Sequence, residues 1–208
     1  MAYTASEIIT MAQRLLVDVE DDAYLDDMLS YFNEWQRRFA TETQCVQKVE
    51  PTSVRADTYS YADLARQIDD ASDLVDVARV ELIDNSGVGT AIYPLPKSEL
   101  SDLKTLPLTA SIFPTRYSLF AKQILFDLHS SADVSFVIRV YCSIIPNDLT
   151  STDATTLIPD QWAQAGVHYL CYCARISDRD ANLANGHFAE YEAIRMQAAL
   201  LYKSQMEA

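Results

Sequence analysis

The spacing of apolar residues changes twice along this 208-residue chain, and these changes constrain the fold more than any motif does. From Thr4 to Val17 and from about Asp22 to Gln44, apolar residues recur every three or four positions, which is typical of amphipathic helices. Between Pro51 and Pro146 they alternate with polar residues or stop at turns, which is typical of strands. The helical spacing returns after Pro159 and continues toward the C-terminus.

The two N-terminal helices carry signals at their ends as well as along their faces. Thr4 followed three residues later by Glu7 predicts a capping box. Aspartates crowd the start of the second helix, and Arg37 and Arg38 lie toward its end, an order that suits the helix dipole. We expect the apolar stripe of the second helix to be core; its members are Leu25, Met28, Leu29, Phe32, Trp35 and Phe39.

The middle of the chain predicts short antiparallel strands. Leu74–Ile83 and Thr90–Tyr93 flank the turn Asn85–Gly89 and favour a hairpin. The clearest strand runs from Val134 to Cys142, where side chains alternate between two faces. The other predicted segments are a polar loop over Thr52–Ser60, short helices over Tyr61–Gln67 and Ser98–Leu103, a linker over Leu106–Pro114, paired strands Tyr117–Phe120 and Ile124–Leu128, and a turn at Ser130–Asp133.

Two helices are predicted after the polar loop Pro146–Thr156. Pro159 suits a helix start because the N–H that proline lacks would be unpaired there anyway. Ser177–Asp180 interrupts the helical pattern, and a final helix is expected over Ala181–Lys203. Gly186 costs that helix about 1 kcal/mol relative to alanine, so we expect close packing or a joint at this position.

Together these elements predict an α+β fold, a helical bundle formed by the N- and C-terminal helices with a central antiparallel β-rich insertion. The reason is that the terminal helices can bury their apolar stripes only against each other or against the sheet. We divide the chain into N-terminal helices over 1–50, a β-rich insertion over 51–150, and C-terminal helices over 151–208. The bundle is then one discontinuous domain, and the insertion is a β subdomain.

Composition and charge exclude several classes of protein. With 49% hydrophobic and 22% charged residues the chain is globular rather than disordered. A net charge of −14 argues against a protein that grips nucleic acid through its phosphates. No apolar run approaches the ~18 residues of a membrane span, and the N-terminus lacks the basic region of a signal peptide. The four scattered cysteines favour free thiols and a cytoplasmic origin.

No catalytic or metal-binding motif is present in the sequence, and we expect neither enzyme activity nor a cofactor. The four glycines form no phosphate-binding loop, and no Gly-x-Ser-x-Gly elbow occurs. His129, His168 and His187 have no partner at the spacing of a metal site or a catalytic triad. Cys171 and Cys173 fall in a helical stretch, where residues two apart point roughly 200° apart and cannot share one metal ion.

The acidic residues are spread over the whole chain. The net charge is −6 over 1–50, −5 over 51–150 and −3 over 151–208, and no basic arm occurs. The simplest interpretation is a solvated surface that aids solubility. The functional alternative is a wall that repels phosphates, as the lining of a DNA conduit must, so that DNA slides past it instead of binding.

Three stretches resemble the head-to-tail adaptor proteins of tailed bacteriophages, also called head completion or connector proteins. The helix Leu25–Asn33 resembles the family's acid, leucine, leucine and asparagine helix. Pro114–Phe126 resembles its Pro-x-x-Tyr, turn and apolar-strand hairpin, which is followed by the strand Arg139–Tyr141. In the third stretch, Ile158–Trp162 opens a helix, Ser-Asp-Arg-Asp interrupts it, and a helix bearing Tyr191 follows.

This resemblance implies a structural virion protein of the head–tail junction, made in the cytoplasm of the host bacterium. Such adaptors assemble as a dodecameric ring beneath the portal, extend the DNA channel without specific DNA binding, and present a surface to the next neck or tail protein. The C-terminal helix of these proteins often docks on the portal. Here this implies three portal-docking candidates, Leu200, Tyr202 and Met206. The β block would face neighbouring copies or the tail, with Tyr93, Tyr117 and Phe120 as contact candidates.

Two alternatives remain open. The first is a tubular or gatekeeper protein lower in the neck, which only its neighbours in the particle would distinguish. The second is a cytoplasmic enzyme or ligand-binding protein that uses carboxylates. Its candidate residues would be Asp178, Arg179 and Asp180, or Asp69, Asp70 and Asp73. Acids at helix joints and turns are more often caps than catalysts.

Overall fold

The protein has an α+β fold, seen in a computed structural model that describes residues 3–16, 24–55, 58–87, 89–105, 113–127 and 136–206. The helices are α1 (Ala5–Leu15), α2 (Tyr24–Thr43), α3 (Tyr61–Ala65), α4 (Leu100–Thr105), α5 (Ala163–Ser177) and α6 (Ala181–Met206). The strands are β1 (Gln47–Val54), β2 (Thr58–Ser60), β3 (Ala71–Gly87), β4 (Gly89–Leu95), β5 (Tyr117–Phe120), β6 (Gln123–Phe126) and β7 (Phe136–Pro146).

The chain separates into two compact units. The helical unit combines Met1–Val46 with Ile145–Ala208, and the β unit comprises Gln47–Ile144. In the described part of the chain, no helix is long and apolar enough to cross a membrane.

The helical unit is built on the predicted apolar stripes. Thr4 and Glu7 form the expected capping box, with the Thr4 amide donating to the Glu7 carboxylate at 2.8 Å. Helix α5 contacts α1, α2 and α6, and α2 also contacts α1 and α6. Trp35 on α2 is fully buried, and a Cβ built on Gly166 of α5 would lie only 3.0 Å from its ring. The glycine therefore permits the close approach of α5 to α2.

Polar contacts close the helical unit between distant parts of the sequence. The buried Asn33 side chain donates to the Leu149 carbonyl at 3.0 Å and accepts from the Leu149 amide at 2.8 Å. The Gln36 side chain donates to the Asn147 carbonyl at 2.8 Å. All three bonds join α2 to the loop before α5, so side chains of α2 hold this loop in place.

The β unit contains two antiparallel sheets. The four-stranded sheet has the order β1-β7-β3-β4, and the three-stranded sheet has the order β2-β6-β5. Alternation along β7 is clear, because Phe136, Ile138, Val140 and Cys142 are buried while Arg139 and Tyr141 lie on the other face. This strand confirms the strongest strand prediction made from the sequence.

The second sheet and α3 cover one face of the four-stranded sheet, which we call its inner face. Thr52, on the inner face of β1, is hydrogen-bonded to Tyr59 of β2 and to Gln67 after α3. Phe126 of β6 meets Phe136 of β7 edge to face, with ring centroids 5.4 Å apart. The opposite, outer face carries Val49, Arg139 and Tyr141, which this layer does not cover.

The structure corrects one sequence prediction in this region. The predicted loop over Thr52–Ser60 contains the end of β1 and all of β2. The polar composition of β1 is explained by its place at the sheet edge, where Pro51 pairs opposite Arg139 and one strand edge needs no partner. The predicted turn at Ser130–Asp133 lies outside the described residues, as does most of the linker Leu106–Pro114.

The break between α5 and α6 is confirmed, but the expected joint at Gly186 is not. Arg179 adopts a left-handed backbone with φ of 60°, which ends the α5 direction before α6 begins. Helix α6 continues through Gly186, and a Cβ built there meets nothing within 4 Å. Gly186 therefore lowers the stability of α6, and no close packing among the described residues requires a glycine there.

Candidate functional site

Helix α6 is held against α2 and α5 by one face. Ala184, Tyr191 and Ala198 are fully buried along that face. The Tyr191 ring lies 5.1 Å from the Tyr169 ring and 6.3 Å from the Phe39 ring, so rings from three helices meet here. This packing fixes which side of α6 faces outward.

Arg38 lies among the same rings. Its guanidinium carbon is 5.9 Å from the Tyr169 ring centroid, 5.8 Å from that of Phe188 and 5.7 Å from that of Tyr191. Its Nε donates to Glu42 at 3.0 Å. Burial lowers the pKa of Arg38, but its hydrogen bonds to Glu42 and Tyr169 outweigh this and leave the pKa raised. Arg38 is therefore a fixed cation within the helical unit.

A second arginine ties α6 to α2. Arg195 forms an ion pair with Glu42 at 3.2 Å and with Glu192 at 2.6 Å. The Tyr169 hydroxyl donates to Glu34 at 2.8 Å. A shallow surface groove on α2 is lined by Glu34, Arg37, Arg38, Thr41 and Glu42. Because Glu34 and Glu42 already have partners, this groove offers no exposed pair of unpaired carboxylates for catalysis.

The outward side of α6 carries exposed apolar residues near its C-terminal end. Leu200 is 76% exposed, and Met196 and Leu201 are also exposed. We call these three residues the C-terminal apolar surface. Exposed apolar groups that cluster on a surface commonly mark contacts with another molecule.

The three portal-docking candidates have different environments. Leu200 is the most exposed member of the C-terminal apolar surface. Tyr202 is only half-buried, but its hydroxyl accepts from Gln161 at 3.2 Å and from the Trp162 indole at 3.3 Å, so it is engaged within the fold. Met206 is the last residue of α6, and the structure describes only its backbone.

The candidates of the β unit also differ. Tyr93 is 52% exposed on β4, and Phe120 is 58% exposed at the end of β5. Tyr117 is only 2% exposed, and its hydroxyl donates to the Ala78 carbonyl at 3.4 Å. The expectation that Tyr117 contacts a neighbour is therefore corrected, because the first residue of β5 points into the core of its own unit.

The outer face of the four-stranded sheet contains a charged cluster that sequence reasoning did not find. Glu81 is almost buried there, with Arg79 at 3.0 Å and Arg139 at 3.7 Å. The Tyr141 hydroxyl donates to Glu81 at 3.1 Å, and Arg79 lies 4.2 Å above the Tyr141 ring. Neither residue spacing nor composition indicates this cluster, because it depends on the pairing of β3 with β7.

Comparison with known protein families decides the family. The sequence model of the SU10 adaptor protein family matches residues 3–207, which is nearly the whole chain. The chain belongs to the SU10 adaptor protein family. Membership in this adaptor family makes it a structural phage protein and a component of the virion. A search of curated proteins finds no match.

The acids of the enzyme alternative fit a structural role in an adaptor. Asp180 caps α6 by accepting from the Leu183 amide at 3.2 Å, and Asp178 is the C-cap of α5. Asp73 forms an ion pair with Lys122. Asp69 and Asp70 lie in the turn between α3 and β3, in the other unit from Asp178 and Asp180.

The contact between two histidines, His168 and His187, was not predicted from the sequence. His168 on α5 and His187 on α6 approach with their Nδ1 atoms 3.2 Å apart, a contact that, among the described residues, forms neither a catalytic triad nor a group of three metal-ligating side chains. Burial lowers the pKa of His187, and the nearby His168 and Arg175 lower it further. The signal was invisible in the sequence because the two residues are brought together only by the packing of α5 on α6.

Three of the four cysteines, Cys45, Cys142 and Cys171, are buried, and Cys173 is half-buried. Cys171 and Cys173 lie on α5, as predicted, and the Cys171 thiol donates to the Ala12 carbonyl at 3.7 Å. Burial raises the pKa of Cys45, Cys142, Cys171 and Cys173 to about 12 in each case. Among the described residues, no group of three or more metal-ligating side chains comes together.

Proposed function

We propose that this family member acts as an adaptor ring in the phage neck, where it joins the portal to the next neck or tail protein and extends the DNA channel. The observation that carries the proposal is the match of the adaptor family to residues 3–207, which includes both units. The function is assembly, with protein surfaces rather than a reaction centre as the working parts.

The C-terminal apolar surface is the proposed contact with the portal. Leu200 and its neighbours Met196 and Leu201 present apolar side chains on the one side of α6 that its own fold leaves exposed. Burial of a leucine side chain at an interface contributes about 1.5–3 kcal/mol. Met206 extends this contact by its position at the end of α6.

The exposed aromatic residues of the β unit are the proposed contacts with neighbouring copies or with the tail. Tyr93 and Phe120 present large rings to solvent, and aromatic residues are enriched at protein interfaces. The acidic character of the chain, with its net charge of −14, suits a channel that must not hold DNA.

The portal contact is tested with a matched pair of substitutions on one helix. We expect Leu200→Glu to weaken binding to purified portal rings by at least about tenfold, because it places a charge in an apolar contact. Leu183 lies near the start of α6 and is half-exposed, outside the C-terminal apolar surface, so Leu183→Glu should bind portal like the wild type. Binding is measured by titrating portal rings and following co-sedimentation.

Equal binding by both variants and the wild type would remove the C-terminal apolar surface from the portal contact. Failure of the wild-type chain to bind portal rings at all would contradict the proposed function itself.

A further inference from the structure

The inference rests on the proposed function, since it concerns how copies of the chain would contact each other in a ring. We propose that the outer face of the four-stranded sheet in one copy docks on the segment Tyr61–Asp73 of the next copy. We call the first surface the sheet face; it comprises Val49, Arg79, Glu81, Ile92, Arg139 and Tyr141. We call the second surface the acidic segment.

The sheet face combines exposed apolar side chains with a positive centre. Val49 on β1 is 50% exposed and Ile92 on β4 is 42% exposed, and both strands are sheet edges. Val49 pairs opposite Tyr141, so apolar contact area extends to the centre of the sheet. Exposed apolar residues at both edges, with a tyrosine and arginines between them, favour a docking role for this face.

The positive centre is fixed in place before any partner arrives. Arg79 and Arg139 share one carboxylate, Glu81, so the cluster carries two positive charges and one negative charge. Stacking on Tyr141 holds the guanidinium of Arg79 while more than half of its side chain stays exposed. Arginine and tyrosine in such an arrangement are typical of binding hot spots.

The acidic segment has the opposite charge. It contains Asp63, Asp69, Asp70 and Asp73 with Arg66 as its one basic residue, a net charge of −3. Asp69 and Asp70 are exposed. On a protein with a net charge of −14, the sheet face is a local positive area, and charge complementarity favours the acidic segment of a second copy as its occupant.

The two surfaces lie on opposite sides of the same unit. Helix α3, which begins the acidic segment, packs against β3, and Gln67 within the segment is bonded to the inner-face residue Thr52. The sheet face is the other side of that sheet. Complementary surfaces on opposite sides produce head-to-tail contacts, which close into a ring when the rotation per copy permits.

Two charge-reversal variants test the contact without removing the arginines that hold Glu81. The sheet-face variant is Val49→Glu with Ile92→Glu, and it changes the charge of that cluster from +1 to −1. The segment variant is Asp69→Lys with Asp70→Lys, and it changes the charge of the segment from −3 to +1. Asp70 has a left-handed backbone, which Lys122 and Arg179 also adopt in this chain, so a basic residue fits there.

Self-association of each protein is measured by sedimentation velocity over a concentration series, with no portal present. The wild type should associate weakly into open head-to-tail species. Each variant alone should associate at least about tenfold more weakly, because its two surfaces now carry like charges. An equimolar mixture of the two variants should recover wild-type association, because every contact between unlike copies then joins opposite charges.

The control variant is Leu15→Glu with Ile176→Glu, two half-exposed apolar positions in the helical unit, and it should associate like the wild type. The interface is refuted by wild-type association in either single variant, by a mixture of folded variants that fails to recover, or by a wild type that stays monomeric at all concentrations. Folding is checked by melting temperature. Since portal is absent from this assay, portal binding succeeds or fails independently of it.

Discussion

The two units of this adaptor are held together in different ways. In the helical unit the decisive contacts join residues far apart in sequence, such as Asn33 with Leu149 and Glu34 with Tyr169. The β unit is held by backbone pairing of strands instead: two of the five strand pairs in its described part are hairpins, β3 with β4 and β5 with β6, and the other three pairs join strands that are not neighbours in sequence. The helical unit has a closed core, whereas the β unit keeps an open sheet face.

The largest effect should come from the aromatic core of the helical unit. Trp35→Ala removes a fully buried ring whose centroid lies 5.2 Å from that of Phe32 and 6.0 Å from that of Phe39. We expect the free energy of unfolding to fall by about 3–5 kcal/mol. Urea titration followed by circular dichroism measures this, with Leu15→Ala on the exposed side of α1 as the control. A fall no larger than that of the control would show that this core is not closed.

Alanine substitutions at two glycines of the helical unit should change the free energy of unfolding in opposite directions. Gly166→Ala places a methyl group 3.0 Å from Trp35 and 3.1 Å from Ile8, so we expect a loss of about 1–3 kcal/mol. Gly186→Ala meets nothing within 4 Å and should stabilise the protein by up to about 1 kcal/mol. Thermal melts of both variants provide the measurement, and effects of the same sign would contradict the packing described for α5.

Helices with clear amphipathic spacing could be predicted from the sequence almost to their ends. The expected helix from about Asp22 to Gln44 is confirmed as α2, and Met28, Trp35 and Phe39 of its predicted stripe are buried. Strand β1 could not be predicted, because its partner β7 is distant in sequence and its own residues are largely polar. The predicted bundle arrangement and the division into 1–50, 51–150 and 151–208 stay predictions.

Less of the candidate site than of the fold could be predicted from the sequence. Exposure of Leu200, Tyr93 and Phe120 agrees with the expected contact roles, although those roles themselves stay predictions. Tyr117 cannot be told from Phe120 by composition, since only the register of β5 decides which side chain turns inward. The cluster around Glu81 depends on strand pairing and therefore appears only in three dimensions.

A substitution in the polar cluster of the open sheet face should lower the free energy of unfolding less than Trp35→Ala in the helical core. Tyr141→Phe removes the hydroxyl that donates to Glu81 but keeps the ring beneath Arg79. We expect a loss of about 1 kcal/mol in the free energy of unfolding, since Glu81 retains both arginines. Chemical denaturation measures it; a loss as large as that of Trp35→Ala would mean that the outer face is as tightly built as the helical core.

The smallest effect concerns the histidine pair of the helical unit. Because the pKa of His187 is lowered in the folded protein, the unfolded chain takes up a proton first as the pH falls. The free energy of unfolding should therefore be higher above the ordinary imidazole pKa of 6.5 and decline as the pH falls below it. His187→Gln should reduce this slope in denaturation curves between about pH 7.5 and about pH 5.5. An unchanged slope would assign the pH dependence to other groups.

The most direct test of the adaptor function is the size of the protein with and without portal rings, measured by sedimentation velocity. We predict that the protein alone associates only weakly, and that it forms a stable complex with several adaptor copies on each portal ring. A stable dimer whose size is indifferent to portal would contradict the account.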